Sequence, residues 1–187
     1  MSDFEFVFGG FTIVVALAVA RLLEGLRDTF DPNRRYWIHY VWVVNRLLFV
    51  LASFWVFLDA RNLTDFNFPL FVVMIIPPAV LFLQANALVT SQSGAIDSWK
   101  EHFWSVRKWF FGSNVILMLG TSVLSSQGAY PESELLLSRY VPFPSAIGFL
   151  LSIVGYSSSS ERVHGVLATV AIITVLLGWG ARFAVLA

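Results

Sequence analysis

The chain has 187 residues and a mass of 21.0 kDa; 57% of it is hydrophobic, only 13% is charged, and its mean hydropathy is +0.74. A water-exposed domain of this size carries about 25% charged residues to cover its surface, so the composition excludes an ordinary soluble domain. With 12 basic against 12 acidic residues there is no cationic stripe for nucleic acid, and the absence of cysteine removes disulfides, thiol nucleophiles, Cys-ligated zinc, iron–sulfur clusters and c-type haem attachment.

The apolar residues fall in runs close to the roughly 20 that cross a hydrocarbon core. The first, about Phe6 to Leu26, follows Asp3 and Glu5 with no Lys or Arg before it, and reads as a retained span rather than a secretory signal. A turn centred on Asp31-Pro32-Asn33 leads to a second span, about Tyr36 to Leu58. An Asn- and Asp-rich connection to Pro69 precedes a third, about Leu70 to Thr90, interrupted at its middle by Pro77-Pro78.

Residues 91–108 differ in kind. Ile96, Trp99, Phe103 and Trp104 recur at helical spacing opposite Asp97, Lys100, Glu101 and Arg107, the pattern of a helix lying among headgroups near 96–108. Two shorter spans follow, about Trp109 to Leu124 and Val141 to Tyr156, with a short surface helix expected between them from Pro131 to Leu137. Ser157 to Ser160 is a loop, and a sixth span runs from about Val163 to Trp179.

The expected fold is therefore an all-α integral membrane protein: about six transmembrane helices plus one short interfacial helix, forming a single bundle over 1–187 with no soluble domain. Loops after spans one, three and five hold Arg27, Arg34, Arg35, Lys100, Arg107, Lys108 and Arg162, against Arg61, Arg139 and Arg182 on the other side. Seven cations against three predict both termini outside, the periplasmic side of a bacterial inner membrane.

Three stretches, FEFVFGGFTIVVALAVARLLEGL, YWIHYVWVVNRLLFVLASFWVF and AIDSWKEHFWSVRKWFFG, resemble a bacterial family of small multi-pass membrane proteins whose function is not established. The most specific part comprises Asp97, His102, Arg107, Lys108, Trp109 and Phe110. Where that family has Trp-Pro-His at the second span, this chain has Trp37-Ile38-His39, without the proline. The resemblance implies the multi-pass topology and supplies no catalytic residue.

Arg46, with Asn45 beside it, sits about ten residues into span two, hence about 15 Å deep. An ionised side chain there costs about 2.5–3.5 kcal/mol unless protein or water shelters it. Gln84 and Asn86 lie within reach from span three, and Pro77 and Pro78 strip the carbonyls of Val73 and Met74 of their helical donors. These residues outline a polar seam between spans two and three that lines a route or binds a small solute, with anions preferred because the Arg46 charge does not titrate. The plainer alternative makes Arg46 a buried rivet between helices.

His39, His102 and His164 all fall at the inner interface with Glu24, Glu101 and Glu161, a set that zinc or non-haem iron would accept if it converged. No pair has the helical spacing that aims two ligands at one point, so bland interfacial histidines are the alternative. No cofactor is expected: the histidines lie too near one surface for a midplane haem, and Lys100 and Lys108 lie outside the spans, which excludes a retinal Schiff base.

Trp37, Trp42, Trp99, Trp104 and Trp109 read as an interfacial belt. Ala16-x-x-x-Ala20 and Gly148-x-x-x-Ser152 permit close helix approach within the monomer or between subunits. The functional expectations are a non-enzymatic, oligomeric channel or solute-binding bundle, an accessory subunit of a larger membrane complex, or a metalloenzyme using the inner histidines. The partners expected are the lipid bilayer and a second copy or a larger complex.

Overall fold

A computed structural model of the chain describes residues 3–59, 67–90, 96–126 and 144–185. They form six helices and no strand: α1 (Asp3–Thr29), α2 (Trp37–Asp59), α3 (Phe68–Leu88), α4 (Trp99–Ser126), α5 (Pro144–Ser157) and α6 (Glu161–Val185). The surface helix expected at Pro131 to Leu137, with Arg61 and Arg139, lies outside the described residues.

α1 shows the packing rule. Val7, Phe11, Val15, Ala18, Leu22, Gly25 and Thr29 are buried at steps of three or four residues, one stripe of a 3.6-residue helix. Yet Phe6 and Ile13, on the other side, are 64% and 65% exposed, with Leu17 and Leu23 exposed beside them. A helix apolar all round that buries only one stripe has lipid as the natural solvent for the rest. Three helices, over Phe4–Thr29, Trp37–Phe54 and Phe68–Leu88, are long and apolar enough to cross a membrane. α5, with 14 residues, is about 21 Å long at 1.5 Å per residue, short of a hydrocarbon core of about 30 Å.

α3 starts where Asn67, in extended backbone, accepts from the Leu70 N–H at 2.9 Å through its side chain, with Pro69 in the first turn. The interruption expected at Pro77-Pro78 does not occur: the helix runs through both rings, which are buried. Buried against neighbouring elements, such a segment can stay helical despite the two missing N–H donors. Pro77 packs on Gly120 of α4, where an added Cβ would meet its Cγ at 3.4 Å.

The separate interfacial helix near 96–108 is likewise corrected: Trp99 to Ser126 is one helix. No Pro or Gly falls before Gly112 to break it, and one side of its first turns packs against protein while Lys100, Glu101 and Ser105 are exposed on the other. Trp99 and Phe103 are fully buried, and the Trp99 indole N–H donates to the Asp28 carbonyl at 2.9 Å. The same end of the bundle is tied by Arg34 donating to Asp31 at 2.8 Å and to the Ile96 carbonyl at 3.0 Å. Lys100 meets Glu161 of α6 there at 2.6 Å. Trp42 also lies in the core, so the aromatic belt keeps only Trp37 and Trp109 as exposed members, with Trp104 half-buried.

α4 packs on α3 and α5 and touches α2; α1 packs on α2 and α3, α2 also touches α3, and α6 packs on α2 and α5. The Gly148/Ser152 pair of α5 faces α4: a Cβ on Gly148 would meet Met118 Sδ at 2.5 Å. Ala16 and Ala20 are exposed.

Candidate functional site

Arg46 lies nine residues into α2, about 14 Å from its start, and is only 2% exposed. It does not reach α3. Its guanidinium Nη2 donates to Asn114 Oδ1 of α4 at 3.0 Å. Asn114 donates from Nδ2 to Ser152 Oγ of α5 at 2.7 Å, and that hydroxyl donates back to the Gly148 carbonyl at 2.5 Å. One polar chain therefore joins α2, α4 and α5.

Two rings flank the cation, with Phe49 and Phe110 centred 5.3 and 5.0 Å from Arg46 Cζ. This arrangement attracts a guanidinium through the ring quadrupole. It leaves the charge uncompensated: among the described residues no carboxylate pairs with Arg46. Among the described residues its Nε has no partner, and neither has Nδ2 of the adjoining, buried Asn45. A guanidinium presents five N–H donors, so one hydrogen bond leaves most of its capacity unused.

Gln84 of α3 makes a parallel rung to α4, donating to Ser113 Oγ at 2.9 Å and, at 3.4 Å, to the Phe110 carbonyl. Its Oε1 is unpartnered. The seam expected between spans two and three is thus relocated: Arg46 and Gln84 converge on successive residues of α4, Asn114 and Ser113, rather than on each other. Asn86 leaves the site altogether, since it is exposed and its side chain bonds the Phe82 carbonyl one turn back at 2.9 Å. Pro77 and Pro78 belong to the α3 face that packs in the core.

Asn114 and Ser152 are the residues that sequence reasoning missed. The available signal was a lone amide inside the apolar stretch around Asn114, and Ser152 was weighed only for its size.

The histidines gather in part. His39 stacks on Trp99 at 4.9 Å between ring centres and stands edge-on to His102 at 5.6 Å. His164 sits instead against Phe103 and Trp104, at 5.3 and 5.1 Å. His102 Nε2 faces the Ala87 carbonyl at 2.9 Å and His164 Nε2 faces the Ser158 carbonyl at 3.1 Å, so both present N–H there rather than a lone pair. Among the described residues no three His, Asp or Glu side chains come together as a metal-ligand set.

No family model matches the chain, and no curated protein and no solved structure matches it either. What the chain can do is therefore argued from its own geometry.

Proposed function

We propose that the chain is a multi-pass membrane protein whose six helices form one bundle in the bilayer, and that it binds or passes a small anion at Arg46. The observation that carries this reading is the unbalanced charge: a buried guanidinium with one hydrogen bond and no carboxylate partner among the described residues. Buried charges are ordinarily paired, and an anion would supply the missing partner and take up the free donors. Asn45 Nδ2 offers a further unused donor on the next residue. The cation-rich ends of α1, α4 and α6 would face the cytoplasm, with both termini outside.

Reconstitution tests this directly. Liposomes containing the chain should admit chloride or nitrate above the rate of empty liposomes, and Arg46→Gln should remove the excess while keeping the helical circular dichroism. Wild-type liposomes no more permeable than empty ones, with no anion-dependent stabilisation in detergent, would overturn it.

A second reading is favoured by the aromatic flanking and the chain through Asn114 and Ser152. Arg46 is then a rivet among α2, α4 and α5, and the protein is an accessory subunit whose exposed apolar faces meet a larger membrane complex. In that case Arg46→Gln abolishes folding, and a defined partner co-purifies from native membranes.

A further inference from the structure

An open groove of about 530 Å³ lies on the outer face between the start of α2 and α6, lined by Trp37, Ile38, Arg162, Gly165, Val166 and Val170 among others. Gly165 forms part of its floor: a Cβ there would meet Trp37 Cζ2 at 3.1 Å, so a larger residue would press the indole back by a few tenths of an ångström.

The two ends of the groove differ chemically. At the rim, Glu161 is already paired with Lys100 at 2.6 Å. Arg162 is exposed and has no ion pair or side-chain hydrogen bond among the described residues, so the rim carries one uncompensated positive charge. Below it the wall is mostly apolar, through Gly165, Val166 and Val170 with Ile38 opposite, and the hydroxyl of Thr169 is turned onto the Gly165 carbonyl at 3.0 Å. From Arg162 to Val170 the helix rises about 12 Å, close to the depth of one leaflet of a core about 30 Å thick. Trp37, 54% exposed beside the rim, stands where indoles mark the headgroup level.

We propose that this groove holds a phospholipid with an anionic headgroup, its phosphate on the Arg162 guanidinium and one acyl chain along Gly165, Val166 and Val170. A guanidinium matches phosphate oxygens in a fork of charge-assisted hydrogen bonds, and the apolar floor takes the chain that a free anion lacks. The inference rests on α6 lying in the bilayer, as the multi-pass reading has it, and is independent of Arg46.

Native mass spectrometry of the detergent-purified, lipid-stripped chain tests it. Phosphatidylglycerol should be retained at several-fold higher occupancy than phosphatidylcholine of the same acyl chains. Arg162→Gln should equalise the two, and Val166→Trp, which fills the groove and leaves the cation, should lower both. Equal retention of the two lipids by the wild type overturns the proposal, as does displacement of phosphatidylglycerol by millimolar inorganic phosphate, which would mean that the acyl chain contributes nothing. If Arg162→Gln does not fold, the wild-type comparison still decides. Because the natural sequence has no cysteine, Ile173→Cys separates this failure from that of its premise. Labelling of position 173 by a membrane-impermeant maleimide in liposomes rejects the bilayer placement of α6, whereas lost lipid preference with 173 shielded rejects the lipid site alone.

Discussion

Arg46 and Asn114, 68 residues apart in sequence, meet at 3.0 Å in the interior, and Asn114 passes the connection on to Ser152. The amide suits this place because its oxygen accepts from the guanidinium while its nitrogen donates onward. Asn114→Leu should therefore strand the guanidinium against alkyl carbon and lower stability by about 1–3 kcal/mol, the usual cost of an orphaned buried donor. The double variant Arg46→Leu/Asn114→Leu should lose less than the sum of the two single changes. Thermal unfolding in detergent followed by circular dichroism measures the cycle, and strict additivity would deny the coupling.

Gly25 and Val89 set the spacing of α1 and α3. A Cβ on Gly25 would collide with the side chain of Val89, the residue that caps α3, so Gly25→Ala forces the two apart, at a cost of about 1–3 kcal/mol by the usual penalty of overpacking. Gly9, on the same helix, has nothing within 4 Å of its added Cβ. Gly9→Ala should be neutral or stabilising by about 0.5–1 kcal/mol through helix propensity. Paired melting curves of the two variants check the contrast.

Trp99 and His39 stack face to face but contribute differently. Trp99→Phe loses the indole bond to the Asp28 carbonyl, worth about 1 kcal/mol, and adds a void. Among the described residues neither ring nitrogen of His39 makes a well-formed hydrogen bond, the Leu88 backbone being a polar neighbour, so His39→Phe keeps the stack and should cost under about 1.5 kcal/mol. A larger loss in His39→Phe than in Trp99→Phe, read from unfolding in detergent, would assign the imidazole a polar role.

The turn after α1 carries an acid dependence. The Asn33 N–H, together with the Arg34 guanidinium, holds the Asp31 carboxyl below its ordinary value of 3.8. Its contribution is complete above 3.8 and is lost as pH falls through the lowered folded value. The difference in melting temperature between wild type and Asp31→Asn should persist at neutral pH and close in acid. A difference that is constant across that range would remove Asp31 as its source.

The helices were legible because their apolar runs are long, and Arg46 was legible because a charge inside such a run is conspicuous. Its partner was not. Dividing the chain at Trp109 puts Asn114 only about 8 Å into a span, whereas counted along the continuous α4 it lies about 22 Å from the start. That division followed from Trp99 and Phe103, whose aromatic spacing fits an interfacial face and a protein core equally well; only the carbonyl of Asp28 beneath the indole distinguishes them. Pro77-Pro78 misled in the opposite direction, since a breaker rule drawn from exposed helices fails where both rings are buried against neighbouring elements. Asn86 was placed by depth alone, and depth does not say which way a helix turns its side chain.

The tie between Trp99 and Asp28 spans 71 residues, and the clamp of Arg34 on the Ile96 carbonyl spans 62. In chain order the hairpin of α1 and α2 precedes both partners, so that carbonyl and that guanidinium stay open at its tip until residues 96–99 are added. The fourth helix closes the tip when it arrives. A chain cut before residue 96 would lack both the Ile96 carbonyl and the Trp99 indole, so neither tie could form.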